Sequence, residues 1–126
     1  MLFRSLYKVL EECKQFIKEK ELDLVLYPVL GDVRNFNQLE KTFQEIPIDI
    51  VFHAAAYKHV PMVELNNSEG VENNIFGTLN CATSAIDAGV KNFVLISTDK
   101  AVNPKNIMGI TKRLAEKILS IYFENF

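Results

Sequence analysis

The sequence predicts an α/β fold in which a parallel sheet carries helices on both faces. Two observations predict it. Segments with apolar residues at helical spacing alternate with short, nearly continuous apolar runs, and such runs belong to strands covered on both sides. The order helix–strand–helix–strand–helix–strand–helix, three strands and four helices, calls for parallel pairing through helical crossovers. No repeat, low-complexity stretch or linker interrupts the series, and 126 residues suffice for about one small domain.

Each element has its own signal. Phe3, Leu6, Leu10, Cys13 and Ile17 recur at helical spacing and predict a helix over about 3–20. Residues 22–30 (LDLVLYPVL) predict the first strand, closed by Gly31-Asp32. A short helix is predicted over 37–45, and Pro47 separates it from a second strand over 49–54 (DIVFHA). After a loop containing Pro61 a long helix is predicted over 68–88, with Gly89 just past its end, where a left-handed residue belongs. Residues 92–97 (NFVLIS) predict the third strand. A loop through Asn103-Pro104 leads to a closing helix from about Ile107, on which Ile107, Ile110, Leu114, Ile118 and Ile121 hold one face.

Composition excludes several classes. An apolar share of 48%, a charged share of 24% and a formal charge of −2 are ordinary for a soluble globular chain and give no reason to expect nucleic acid or an anionic membrane as partner. Cys13 and Cys81 fall in helical segments without metal-ligand spacing, so they read as thiols of a reducing compartment and no metal is expected. No apolar run approaches the ~20 residues of a membrane helix. Met1-Leu2-Phe3-Arg4 is followed too soon by Glu11-Glu12-Cys13-Lys14 to be a secretory leader. A soluble, cytoplasmic chain is expected.

Open parallel sheets bind ligands beyond the carboxyl ends of their strands. That rule selects 31–34, 54–61 and 97–100. Ala54-Ala55-Ala56 would let a ligand approach the backbone, or would simply pack a helix closely on the sheet. Asp32 reads first as a turn or capping aspartate, His53 as a satisfied core histidine, and His59 stays open. Ser97-Thr98-Asp99-Lys100 is more telling, because a cap needs only one of these groups. Adjacent acid and amine can perturb each other and suit proton transfer, although a solvated turn has the same composition.

Four segments in order carry a resemblance: His53-Ala54-Ala55-Ala56-Tyr57-Lys58-His59-Val60-Pro61, Glu72-Asn73-Asn74-Ile75-Phe76-Gly77-Thr78, Leu95-Ile96-Ser97-Thr98-Asp99-Lys100-Ala101-Val102-Asn103-Pro104, and Met108-Gly109-Ile110-Thr111-Lys112-Arg113-Leu114-Ala115-Glu116. The chain resembles the CapD-type polysaccharide biosynthesis proteins, nucleotide-sugar 4,6-dehydratases of the extended short-chain dehydrogenase/reductase superfamily that act typically on UDP-N-acetylglucosamine. The resemblance implies a Rossmann-type doubly wound sheet, NAD or NADP as cofactor and a UDP-sugar as substrate. It implies that Asp32 and Val33 hold the adenine, and that Ala54, Ala55 and Ala56 line the ribose and pyrophosphate. Ser97 belongs with the cofactor-binding residues, Asn74 helps organise the site and Lys112 bonds the nicotinamide ribose. Thr98, Asp99 and Lys100 match the dehydratase's catalytic group: Lys100 as base at C5, Asp99 as acid at the C6 hydroxyl, with these two roles exchangeable, and Thr98 on the C4 oxygen. Met108 stands at the tyrosine position of the Tyr-x-x-x-Lys motif, as in the larger, membrane-anchored branch of the family. The 4-hydroxyl proton is then expected to leave through Asp99 or water.

The resemblance also implies parts that the sequence does not contain. All five glycines stand alone, so there is no Gly-rich phosphate turn, and the acidic residue that reads the 2′-position is absent. The first two strands and the sugar-gripping lobe are likewise expected outside the chain. Residues 1–126 are therefore expected to be a partial NAD(P)-binding domain, the central segment of a dehydratase, inactive and marginally stable alone. The alternative expectation is a non-catalytic module that completes its sheet with a companion polypeptide or with further copies of itself. An epimerase or reductase of the same superfamily is disfavoured by Asp99-Lys100, since epimerisation needs no acid and base for water loss.

Overall fold

The structure, a computed structural model, describes residues 2–124, with side chains from Leu6 to Phe123. The side chain of Phe3, expected on the first helix's apolar face, lies outside the described residues. Two compact units divide the described chain, one ending at Leu30 and one beginning at Gly31.

The first unit holds helix α1 (Leu2–Glu19), whose predicted face is observed: Leu6, Leu10, Cys13 and Ile17 are half-buried and the positions between them are exposed. The strand predicted over 22–30 is not formed. Leu24, Val25 and Tyr27 are 60%, 73% and 67% exposed, the opposite of a run covered on both faces. An apolar run becomes a strand only where a neighbour supplies a ladder. The usual strand order 3-2-1-4-5-6 puts two strands between this segment and the next one, and the described residues contain neither.

The second unit carries the sheet. Strands β1 (Ile50–His53) and β2 (Asn92–Leu95) pair in parallel, with Ile50 opposite Asn92 and His53 opposite Leu95. The predicted α/β class with parallel pairing is present, with two strands among the described residues rather than three. Helix α2 (Phe36–Glu45) precedes the sheet, and the Asn35 side chain caps it by accepting the Gln38 N–H at 3.2 Å. The loop predicted around Pro61 is instead a short helix, α3 (Val60–Leu65), with Pro61 in its first turn. There a missing N–H costs nothing, so a proline that suggests a break also suits a start.

The long helix predicted over 68–88 runs from α4 (Asn67–Val71) through a π-helical turn (Glu72–Phe76) into α5 (Gly77–Asp87). The π turn brings three successive residues, Asn73, Asn74 and Ile75, into the interior. Gly89 closes the helix at φ +73°, as its position predicts.

The last helix, α6 (Ile107–Glu124), forms where expected but does not bury the apolar stripe. Ile110, Leu114 and Ile121 are 46%, 43% and 60% exposed. The buried stripe is Met108, Thr111, Lys112, Ala115 and Leu119, about 100° around the helix. Thr111 and Lys112 can be inside because each has a partner there: the Thr111 hydroxyl donates to the Met108 carbonyl at 2.8 Å, and the Lys112 ammonium to the Ile96 carbonyl at 2.6 Å.

His53, at the end of β1, is a satisfied core histidine, as its residue type suggests. Thr78 donates its only hydroxyl proton to the Asn74 carbonyl (2.7 Å), so the contact of 3.0 Å between His53 Nε2 and Thr78 Oγ1 requires the ring to donate. Burial, assisted by the charge of Lys112, pushes the imidazole down to about 4, and it is neutral at neutral pH. The unfolded chain, with an ordinary histidine near 6.5, binds more protons between these values. Stability is therefore complete above about pH 6.5 and falls by up to about 3 kcal/mol as pH drops to 4. Denaturant unfolding at a series of pH values should show this slope, and His53→Gln should remove it. The same slope in both proteins would contradict the assignment.

Candidate active site

The segment leaving β1 is held from behind by two adjacent asparagines. Asn74 accepts the Tyr57 N–H at 2.7 Å and donates to the Tyr57 carbonyl at 3.0 Å, so one side chain satisfies both backbone groups of that residue. It also donates to the Thr111 hydroxyl of α6 at 3.0 Å. Asn73 donates to the Asn74 oxygen at 3.0 Å and reaches the Ala55 carbonyl at 3.4 Å. A regular helix would turn these neighbours apart by about 100°; the π turn lets both serve one loop. Buried, and bonded to the loop and to each other, the pair fixes 55–57 between β1 and α6.

The segment leaving β2 is anchored to α6. Lys112 grips the Ile96 carbonyl, and the Ser97 hydroxyl donates to the Glu116 carboxylate one helical turn further on. Thr98 then starts a 3₁₀ turn (Asp99–Ala101), accepting the Lys100 N–H at 3.4 Å. The Thr98 hydroxyl donates to Asp99 at 3.0 Å. That bond, followed by the charge of Lys100, holds the exposed Asp99 carboxyl below its usual range. Burial pulls the Lys112 ammonium down, and Glu116 opposes the shift. The 3₁₀ turn lies so close to α6 that a Cβ on Gly109 would stand 2.6 Å from the Lys100 carbonyl oxygen. The N-terminus of α6 is tied back by Glu64 of α3, which accepts the Ile107 N–H, and by Asn106, which accepts the Gly109 N–H at 2.8 Å.

A cavity of about 300 Å³ lies between these two segments, lined by Ala54, Ala56, Tyr57, Lys58, Ile96, Ser97, Thr98, Lys100, Met108 and Lys112. Residues predicted from three separate stretches of sequence therefore share one space. A larger one, about 640 Å³, borders the same loop, lined by Ala54, Ala56, Tyr57, Lys58, His59 and residues of α3 and α4. The other predicted residues stand apart. Asp99 is not among the lining residues, Ala55 offers its carbonyl to Asn73, and Asn74 acts through the loop it holds. Asp32 borders a shallow cleft with Arg34, Asn35 and Glu72. Both its oxygens take the Arg34 guanidinium, which holds the carboxyl below its usual range, and Arg34 also pairs with Glu69 at 2.8 Å. Val33 packs on the long helix, where a Cβ on Gly77 would come within 2.6 Å of it.

Sequence reasoning passed over Asn73, Thr111, Lys58 and Glu116. For Thr111 the available signal was polarity at a position whose neighbours one helical turn away, Ile107, Met108, Leu114 and Ala115, are apolar; Asn73, between Glu72 and Asn74, offered none. Lys58 and Glu116 stand inside the quoted motifs without a role of their own.

Fold and site together define a Rossmann-type segment of the short-chain dehydrogenase/reductase class, with a cavity at the carboxyl ends of β1 and β2. Residues 4–125 match the family described as "Polysaccharide biosynthesis protein", and the chain belongs to that family. It is 44% identical over 115 residues to the capsular polysaccharide biosynthesis protein CapD of Staphylococcus aureus, covering 91% of this chain and 19% of that protein. It is 42% identical over 89 residues to a UDP-N-acetylglucosamine 4,6-dehydratase (inverting) of Campylobacter jejuni, covering 71% and 26%. Among solved structures, UDP-glucose 4-epimerase from Bifidobacterium longum in complex with NAD+ and UDP superposes with a TM-score of 0.73 at 26% identity, over 82% of this chain and 36% of that one. The chain thus spans about a fifth to a quarter of the length of these two relatives.

The tight seating of the 3₁₀ turn on α6 can be tested by substitution. Gly109→Ala gains about 1 kcal/mol of helix propensity, yet its methyl group would overlap the Lys100 carbonyl oxygen. A net loss of about 1–2 kcal/mol in denaturant unfolding is predicted, in line with overpacking elsewhere. An alanine variant as stable as the parent would show that the turn is free to move.

Proposed function

We propose that this chain supplies the proton-transfer segment of a nucleotide-sugar 4,6-dehydratase, a lyase that converts UDP-N-acetylglucosamine to its 4-keto-6-deoxy form. The observation that carries the reading is the convergence of Thr98, Lys100, Met108 and Lys112 on one cavity walled by Ala54 and Ala56. An epimerase, as the Bifidobacterium longum protein is named, has no use for an acid–base pair such as Asp99 and Lys100 beside that cavity.

The site suits a dinucleotide. Among the described residues, Lys58, Lys100 and Lys112 line the cavity and no carboxylate does, which favours an anionic ligand. The two alanines leave the backbone open to close approach. When bound, NAD or NADP supplies the acceptor and donor for the hydride exchanged with the sugar. Lys112, fixed on the Ile96 carbonyl, would hold the nicotinamide ribose; Asp32 and Val33 would hold the adenine, with Asp32 already braced by Arg34.

The chain's own residues then move protons. Once C4 is a ketone, the C5 proton is acidic and a base removes it, while an acid protonates the C6 hydroxyl as it leaves. Of the two assignments, the exchanged one is supported: once the bond to Thr98 is given up, the charge of Lys100 still favours the ionised Asp99, so Asp99 takes the C5 proton and the Lys100 ammonium gives one to the leaving hydroxyl. Asp99 turns into the cavity by giving up its bond with Thr98, and this frees the Thr98 hydroxyl for the C4 oxygen. Met108 can accept no proton and Asp99 is kept for the C5 proton, so the 4-hydroxyl proton leaves by water.

A second reading, a module that completes its sheet with a companion chain or another copy, is supported by the exposure of Ile50, Phe52, Val94 and Ile96 along both strands. One assay separates the readings and the two acid–base assignments. The chain is supplied with UDP-N-acetylglucosamine and NAD in deuterated water, alone and co-expressed with a polypeptide bearing the Gly-rich strand–turn–helix and sugar lobe of a relative. Dehydration is expected only in the co-expressed pair. In that pair, Asp99→Asn should lose deuterium incorporation at C5 and about 100-fold or more of the rate. Lys100→Ala should lose the rate but keep the C5 exchange. The reverse pattern would make Lys100 the base, and a pair that binds but never dehydrates would leave the module reading standing.

A further inference from the structure

Glu116 has no part in the reaction outlined above, yet it occupies a specific place. It follows Lys112 by four residues, so the two share a face of α6 and meet consecutive residues at the end of β2: Lys112 takes the Ile96 carbonyl and Glu116 takes the Ser97 hydroxyl. The Thr98-Asp99-Lys100 group begins at the very next residue. The second carboxylate oxygen of Glu116 receives Arg113 at 3.1 Å. The carboxylate is mostly covered, its side chain 29% exposed.

The charges around Lys112 make this carboxylate more than a latch. Lys58 and Lys100 line the same cavity, His53 faces Lys112 from β1 as a neutral ring, and Arg113 flanks it on its own helix. Asp99 is turned to Thr98 at the surface. Among the described residues, Glu116 is the carboxylate that acts on Lys112 and offsets its burial. Without it, burial would pull the Lys112 ammonium down unopposed.

We propose that Glu116 is a positioning residue of this site, which anchors Ser97 in the cavity wall and supplies the negative charge beside Lys112 on the same face of α6. Its importance for dehydration rests on the reading given above; its action on Lys112 does not, and can be measured without any reaction. Glu116→Gln keeps a side chain able to accept the Ser97 hydroxyl but removes the charge. Ser97→Ala removes the hydrogen bond and keeps the charge.

The test is a pH titration of the Lys112 Cε resonance by NMR in the purified 126-residue chain. Glu116→Gln should lower the Lys112 midpoint, Ser97→Ala should leave it unmoved, and Glu116→Asp, with its carboxylate set back by one methylene, should lower it less than Gln does. Should the glutamine variant fail to fold, the aspartate variant against Ser97→Ala still decides. A Lys112 midpoint equal to that of the parent in either Glu116 variant, or one lowered equally by Ser97→Ala, would reduce Glu116 to a structural contact and overturn the proposal. Absence of dehydratase activity with the titration shift intact would count against the enzyme reading alone.

Discussion

The site depends on Asn74. A single buried amide satisfies both backbone groups of Tyr57, reaches Thr111 on α6 and takes a further bond from Asn73. Its burial would be costly if any of these partners were missing, because an unpaired buried polar group costs about 1–3 kcal/mol. The requirement works in both directions: the loop must come to the helix, and α6 must present a threonine rather than one of its isoleucines. This explains why α6 turns Thr111 and Lys112 inward and leaves Ile110 and Leu114 outside. Polar fixation, rather than the apolar stripe, sets the rotation of the last helix.

From that rotation the rest of the arrangement follows. With Thr111 on Asn74, Lys112 points to the Ile96 carbonyl, Glu116 to Ser97, and the Gly109 face to the 3₁₀ turn that carries Asp99 and Lys100. The strand ends, the loop and the helix are thus fixed by contacts within a few residues of one another. The segment around Asp32 depends on a different brace, the Arg34 bridge between Asp32 and Glu69. Its members are largely exposed, and such pairs contribute little each.

Much of this was legible in the sequence, for identifiable reasons. Helical spacing placed α1 and its face at Leu6, Leu10, Cys13 and Ile17, and the apolar runs at 49–54 and 92–97 contain the two strands that pair. The convergence of Ala54, Ala56, Thr98 and Lys100 follows from the rule that ligands of parallel sheets bind beyond the carboxyl ends of the strands, while Met108 and Lys112 of α6 were indicated only by the family resemblance. What escaped was whatever depends on a partner. Residues 22–30 have the composition of a strand, but a ladder requires a neighbour that composition does not reveal. Periodicity shows that Ile107, Ile110, Leu114, Ile118 and Ile121 share a face; it does not show which face is covered. The π turn has no pattern of its own, and two adjacent buried asparagines make sense only once the loop they hold is in view.

The central claim is that Asn74 joins the β1 loop to α6 as one unit. Residue-resolved amide hydrogen exchange on the parent chain and on Asn74→Ala tests it most directly. Loss of one shared anchor should speed exchange at Tyr57 and at Thr111–Ala115 together, by about 10–100-fold for a loss of about 1–3 kcal/mol, while α2 keeps its protection. Faster exchange at Tyr57 with α6 unchanged would contradict the claim, because the helix would then hold its rotation without the asparagine.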